Sequence, residues 1–288
     1  MNRNDFNRQL NKGEYIYMNE FPQISVIMGV YNGERFLREA IESILNQSYS
    51  DFEFIICDDC STDSTAKILY EFADMDTRVH IIQNRKNLGL AASLNKCIDK
   101  SRGVYLARMD CDDFSDPDRL KIQVKYLDTH PDIAVVATST YYMDDHGDVY
   151  AQRVWENEKK FNLGQVVKGT PFVHPTVMMR STSIKKVGGY TVNSLTTRAE
   201  DYDLWCKLCE SGEKLSVLQQ KLFYYREDNN ISKRKIRYRL QEIQLKGKWI
   251  YKTKMPIYYY LYAIKPLLIG LIPLKIYKIL HQKRFEKV

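Results

Sequence analysis

Two common phosphate-binding signatures are missing from this sequence. It contains neither G-x-G-x-x-G nor G-x-x-x-x-G-K-[ST], which excludes a dinucleotide cradle of the usual kind and a P-loop. No apolar run is long and clean enough to cross a bilayer, because the most apolar stretch, 256–274, carries Lys265 and is broken by Pro256, Pro266 and Pro273. The opening "MNRNDFNRQLNKGEYIYMNE" is polar and has no apolar centre, so no signal peptide is expected, residues 1–22 read as a loose extension, and the bulk of the chain is expected in the cytosol. Compact zinc spacing is absent too. Cys57 and Cys60 form one C-x-x-C pair and Cys206 and Cys209 another, far away and within a helical pattern, so reduced thiols are expected.

What is present suffices for a folded enzyme: 288 residues, 44% hydrophobic, can bury one large core or two modest ones. The charge is unevenly placed. Residues 232–288 hold 15 Lys and Arg against 2 Asp and Glu, which leaves 28 against 34 for the rest. A mildly acidic body with a basic, Tyr-rich tail implies an anionic partner for the tail, either lipid or nucleic acid.

From Gln23 onward, apolar runs alternate with amphipathic stretches. "ISVIMGV" is followed by Phe36, Leu37, Ala40, Ile41, Ile44 and Leu45 at helical spacing, and "FEFIICD" by a helix from about Thr62 to Ala73. "VHIIQ", a third helix from about Leu90 to Asp99, and "VYLARM" complete four strands and three helices. Such alternation predicts an α/β fold, a mainly parallel central sheet with helices on both faces, whose ligands bind at the carboxyl ends of the strands. The residues expected there are Tyr31 and Asn32, then Asp58 and Asp59, then Asn84, Arg85 and Asn87, then Asp110, Asp112 and Asp113.

Three carboxylates crowded after one buried strand repel one another unless something positive is bound. Mg²⁺ or Mn²⁺ fits, because either ion takes one or two carboxylates plus the phosphates of its substrate. An EF-hand does not fit, since Phe114 and Ser115 stand where a ligand and the turn glycine are needed and Lys121 replaces the closing Glu. The competing structural role for Asp58 and Asp59 is helix capping, a job that falls more naturally to Ser61 or Thr62.

The blocks "SVIMGVYNGERFLREAIESILNQSYSDFEFIICDDCSTDST", "NLGLAASLNKCIDKSRGVYLARMDCDD" and "AEDYDLW", in that order, resemble the family 2 glycosyltransferases of GT-A fold over about 23–230. The resemblance implies a nucleotide half, 23–115, and an acceptor half, 116–230. It implies that Tyr31 packs near the base, Asp59 bonds its edge, Asp58 supports the loop or ribose, Arg85 joins the nucleotide site, and Asp110 lies near ribose and metal. Asp112 is then the principal metal ligand, with His174 of "FVHPTVMMR" as a metal or phosphate contact. Lys96 and Arg108 are candidates to contact the nucleotide or to hold these carboxylates, and Arg198 and the stretch "YYRED" are candidates for diphosphate or acceptor contact. Cys60 replaces the glycine usual in the family.

The resemblance further implies an inverting transfer from a nucleotide sugar, UDP favoured, to a hydroxyl of a glycan or lipid-linked acceptor in cell-surface polysaccharide synthesis. That hydroxyl must lose a proton, and Asp201, with Glu200 beside it, is the matched base, at the start of a helix whose dipole favours its ionised form. Beyond 231 the Tyr- and Lys-rich segment suits the headgroup region of an anionic leaflet, which predicts a peripheral enzyme on the inner face of the plasma membrane. Packing of these helices on the catalytic body is the competing expectation. Rival functions are sugar-phosphate nucleotidyl transfer, which also uses paired aspartates and a metal, and nucleic-acid binding through the tail, which matches no reading motif.

Overall fold

The computed structural model describes residues 21–156, 158–227 and 236–271, so most of the predicted loose extension, Asp228 of "YYRED" and the end of the apolar stretch at 272–274 lie outside it. The predicted strands form as β1 (Ile24–Val30), β2 (Phe52–Asp58), β3 (Val79–Gln83) and β4 (Tyr105–Arg108), all parallel in the order β3-β2-β1-β4. Between them run α1 (Leu37–Leu45), α2 (Thr65–Met75) and α3 (Leu90–Lys100). Alternation along β1 explains the layers: Val26, Met28 and Val30 join the cluster built with α1 and α2, whereas Ile27 joins the one built with α3.

Past β4 the sheet becomes mixed. β5 (Phe114–Ser115) and α4 (Arg119–Thr129) lead to β6 (Ile133–Met143), β7 (Val149–Arg153), β8 (Lys159–Phe161) and α5 (Leu163–Lys168). β9 (Met178–Arg180) then inserts antiparallel between β4 and β6, followed by α6 (Ser181–Lys186), α7 (Glu200–Glu210) and β10 (Lys214–Arg226), which pairs parallel with β6. The parallel half thus carries the alternating pattern, and the second half adds the hairpin-like pairings that let β9 reach the centre.

The second helix starts later than its sequence suggests, at Thr65, and neither Ser61 nor Thr62 caps it. Both are engaged elsewhere. Asn32 N donates to Ser61 Oγ (3.0 Å) and Thr62 N to Asn32 Oδ1 (2.9 Å), so this stretch ties the loop after β1 to the loop after β2. Asp63 Oδ1 accepts from Thr65 N (3.0 Å) instead.

The basic tail is less separate than its composition implies. Among the described residues, α8 (Ile236–Lys252) and α9 (Tyr260–Leu271) pack on the body, burying Leu245, Trp249, Ile250 and Ala263 in the cluster that holds Trp205 and Leu208 of α7. Trp249 Nε1 donates to the buried carboxylate of Asp203 on α7 (2.9 Å), so a charge inside the core is matched across the junction. No helix among the described residues is long and apolar enough to cross a membrane.

Candidate active site

The strand order changes direction between β1 and β4, and the predicted polar residues gather at the carboxyl edge of that region. Backbone bonds stitch the edge together: Asp59 N donates to Val30 O and Asn84 N to Asp58 O, both at 2.8 Å. Asp58 is buried, with Oδ1 accepting from Ser61 N (3.0 Å). Asp59, also buried, accepts from Asn84 Nδ2 (2.7 Å), Leu88 N (2.8 Å) and Gly89 N (2.7 Å). It therefore holds the 84–89 loop from within, and Gly89, whose φ of 87° is in the region favouring glycine, opens α3 there. Lys96 bonds Asn84 of the same network. Tyr31 and Arg85 are exposed at this edge. Cys60 takes up the left-handed turn expected of glycine, with φ 65°.

The three aspartates after β4 do converge. One carboxylate oxygen from each of Asp110, Asp112 and Asp113 lies within 4.8 Å of the others, the group among the described residues best suited to an ion. Asp113 is buried, and burial, reinforced by the charges of Asp112 and Asp110, pushes its carboxyl well above the usual range. Its Oδ1 accepts from Arg226 N (2.8 Å), while its Oδ2 is sealed without a hydrogen-bond partner. Three carboxyl groups this close repel one another unless a proton or a cation relieves them, which fits a hard divalent cation, with Asp112 and Asp110 on the more open side.

Two arginines frame this group: Arg108 holds a carboxylate, one of the two roles its sequence position suggests, whereas the role of Arg226 within "YYRED" was not legible in sequence. Arg108 is fully buried and paired with Asp110; burial opposes its charge, but the Asp110 carboxylate holds the guanidinium protonated. Arg226, on β10, donates from Nε to Asp112 O (2.8 Å) and through its second fork to Glu39 (2.7 Å). It lies over the Phe36 ring at 4.0 Å. The carboxylate loop is thereby pinned from the far half of the chain, a contact that becomes visible only when β10 reaches β5.

A cleft of about 880 Å³ opens beside Asp110 and Arg108 and is lined also by His174, Glu200 and Asp201. Tyr31, Asp58, Asp59, Arg85 and Asp112 are outside its lining. His174 stands apart from the carboxylate group expected to share a metal with it: its Nε2 is bonded to Tyr190 Oη (2.7 Å), and burial, with the Arg108 charge, keeps the ring neutral. Glu200 and Asp201 open α7, which has no side-chain N-cap. Burial first, then Asp201, raises Glu200 to about 7. Burial raises Asp201 to about 6, held down by the Tyr202 backbone N–H and by Arg108. Asp201 is therefore the more readily ionised of the two at neutral pH.

The family model for glycosyl transferase family 2 matches residues 25–188, which contain the whole parallel half and the carboxylate group. The chain belongs to this family. Among curated relatives of this glycosyltransferase, a putative glycosyltransferase EpsE from Bacillus subtilis is 41% identical over 269 residues, covering 93% of this chain and 96% of that protein. The O-antigen biosynthesis glycosyltransferase WbnJ from Escherichia coli is 36% identical, covering 64% and 71% of the two chains. The fold is GT-A: S. aureus TarS, solved with UDP-GlcNAc, superposes with a TM-score of 0.68 at 18% identity, covering 88% of this chain and 77% of that one. The mannosyltransferase PcManGT from Pyrobaculum calidifontis, solved with GDP-Man and Mn²⁺, gives 0.63 at 16% identity, covering 92% and 80%.

Proposed function

We propose that this glycosyltransferase transfers a sugar from a UDP-sugar to an acceptor hydroxyl with inversion, using a divalent cation, in the assembly of a cell-surface polysaccharide at the cytoplasmic face of the membrane. The observation that carries the proposal is the carboxylate group of Asp110, Asp112 and Asp113, of which Asp110 lines the same cleft as a second carboxylate pair at a helix N-terminus. Asp112, Asp110 and Asp113 would hold the cation, which when bound offsets the charge of the leaving diphosphate. Tyr31, exposed at the strand edge, would cover the base, and Arg85, also exposed, would meet the nucleotide. Asp58 and Asp59 act by fixing the two loops that shape the base site.

Asp201 accepts the acceptor's proton as the hydroxyl attacks the anomeric carbon, and Glu200 keeps a second carboxyl beside it. His174, neutral and bonded to Tyr190, lines the cleft with Asp110, Glu200 and Asp201. UDP is favoured by the nearness of the fold to TarS, whose solved complex contains UDP-GlcNAc. The polysaccharide context is supported by the similarity to WbnJ, an O-antigen biosynthesis glycosyltransferase. Membrane association rests on Ile257, Tyr258, Leu261 and Ile264, apolar side chains exposed on the tail beside Lys254 and Lys265.

Calorimetric titration of the full chain with UDP, GDP, ADP and CDP, with and without Mn²⁺, tests the site. UDP binding that requires the metal is the expected result. A preference for GDP would change the donor and leave the reaction class standing, whereas no binding by any diphosphate in the presence of Mn²⁺ would overturn the proposal.

A further inference from the structure

The cleft has a wall that the proposed chemistry does not use. α8 presents Arg239, Glu242 and Lys246 to the cavity, positions spaced so that they share one helix face. Lys246 pairs with Glu242 at 2.9 Å and Arg239 approaches it at 3.6 Å, leaving two cations around one carboxylate. Lys168, Arg198 and Lys265 line the same cavity, and none of them forms an ion pair among the described residues. Lys168 rests over the rings of Tyr259 and Tyr262 (5.6 and 5.3 Å), and Arg198 over Tyr238 (5.1 Å), contacts that hold the cations in place while leaving their N–H groups available. Arg239 Nε is buried without a hydrogen-bond partner.

This wall shares its cavity with the proposed base, because Arg239, Glu242 and Lys246 line the same cleft as Glu200 and Asp201. Its cations therefore converge where an acceptor must lie, on the tail side of the cleft. A neutral sugar would leave this excess of positive charge unmatched, whereas a phosphate or diphosphate offers several acceptor oxygens to Arg and Lys donors together. The helix that supplies Lys265 also exposes Leu261 (71%) and Ile264 (43%), an apolar approach to the same wall.

Resting on the glycosyltransferase reading above, we infer that the tail helices build the acceptor subsite, and that it binds the phosphate or diphosphate group of a lipid-linked acceptor through Arg198, Lys265, Lys168 and Arg239. The basic tail is then part of substrate recognition as well as of the surface.

The test is titration of the full chain, preloaded with UDP and excess Mn²⁺, with geranyl diphosphate, geraniol and inorganic pyrophosphate. Geranyl diphosphate is expected to bind at least tenfold more tightly than geraniol. The double substitution Arg198→Gln, Lys265→Gln should weaken that binding at least tenfold and leave UDP affinity unchanged. Both side chains are exposed, and a thermal midpoint equal to that of the parent verifies the fold. Pyrophosphate binding as tightly as geranyl diphosphate would sustain the phosphate subsite and assign it to a lipid-free anion. Geraniol binding equally well, an indifferent double variant, or a parallel loss of UDP affinity would each overturn the inference. If UDP fails to bind the parent chain, the donor reading falls separately, and the same titrations without nucleotide still decide the wall.

Discussion

At the scale of single residues, the site depends on carboxyl groups held in uncomfortable surroundings. Glu200 and Asp201 have folded-state values of about 7 and about 6, above their ordinary 4.5 and 3.8, so the folded chain binds their protons more strongly than the unfolded chain does. Stability from this source is therefore greatest at low pH and is lost as pH rises through the folded values. Glu200→Gln should stabilise the protein at pH 8 by about 2 kcal/mol, from a shift of about 2.5 units at about 1.4 kcal/mol each, reduced by relaxation and partial exposure of the residue, and the gain should vanish near pH 4; chemical denaturation at both pH values measures it. Activity should run the other way, rising with pH as Asp201 ionises. Asp201→Asn should lower kcat by about 10²- to 10⁴-fold with UDP affinity retained, and unimpaired transfer in that variant would remove Asp201 as the base.

Between elements, the junction of α7 with α8 links the helix that carries Asp201 to the tail. Asp203 is buried two residues after Asp201 and accepts from Trp249 Nε1 (2.9 Å). Trp249→Phe keeps most of the apolar contact and leaves the carboxylate short of one donor, which should cost about 1–3 kcal/mol in urea denaturation. Trp249→Ala should cost about 3–5 kcal/mol, since it also opens a cavity. The strands and helices of the parallel half were plain in sequence, because a fully buried β2 and the period of α1 each leave an unbroken local signal. Both the shift in the start of α2 and the antiparallel insertion of β9 were invisible, since each depends on partners remote in the chain: Asn32 in one case, β4 and β6 in the other.

Across the whole molecule, charge and apolar surface are divided between a catalytic body and a tail that closes over its cleft. The exposed Ile257 and Leu261 should enter the interfacial region of a bilayer, so Ile257→Asp with Leu261→Asp should abolish cosedimentation with vesicles containing phosphatidylglycerol, with no change in thermal midpoint. Cosedimentation equal to that of the parent would refute this surface. Local composition and periodicity alone determined the parallel α/β half, the placement of Asp110, Asp112 and Asp113 at a strand end, and the start of α7 at Glu200, because each is written in residues close together in the chain. Only the tertiary structure decided that Asp113 is sealed, that Arg226 pins the carboxylate loop, that His174 pairs with Tyr190 instead of joining the aspartates, and that the tail forms a wall of the cleft. The Arg226 contacts span more than a hundred residues, the His174–Tyr190 contact joins two connecting segments, and burial is a property of the packed molecule that no short stretch of sequence encodes.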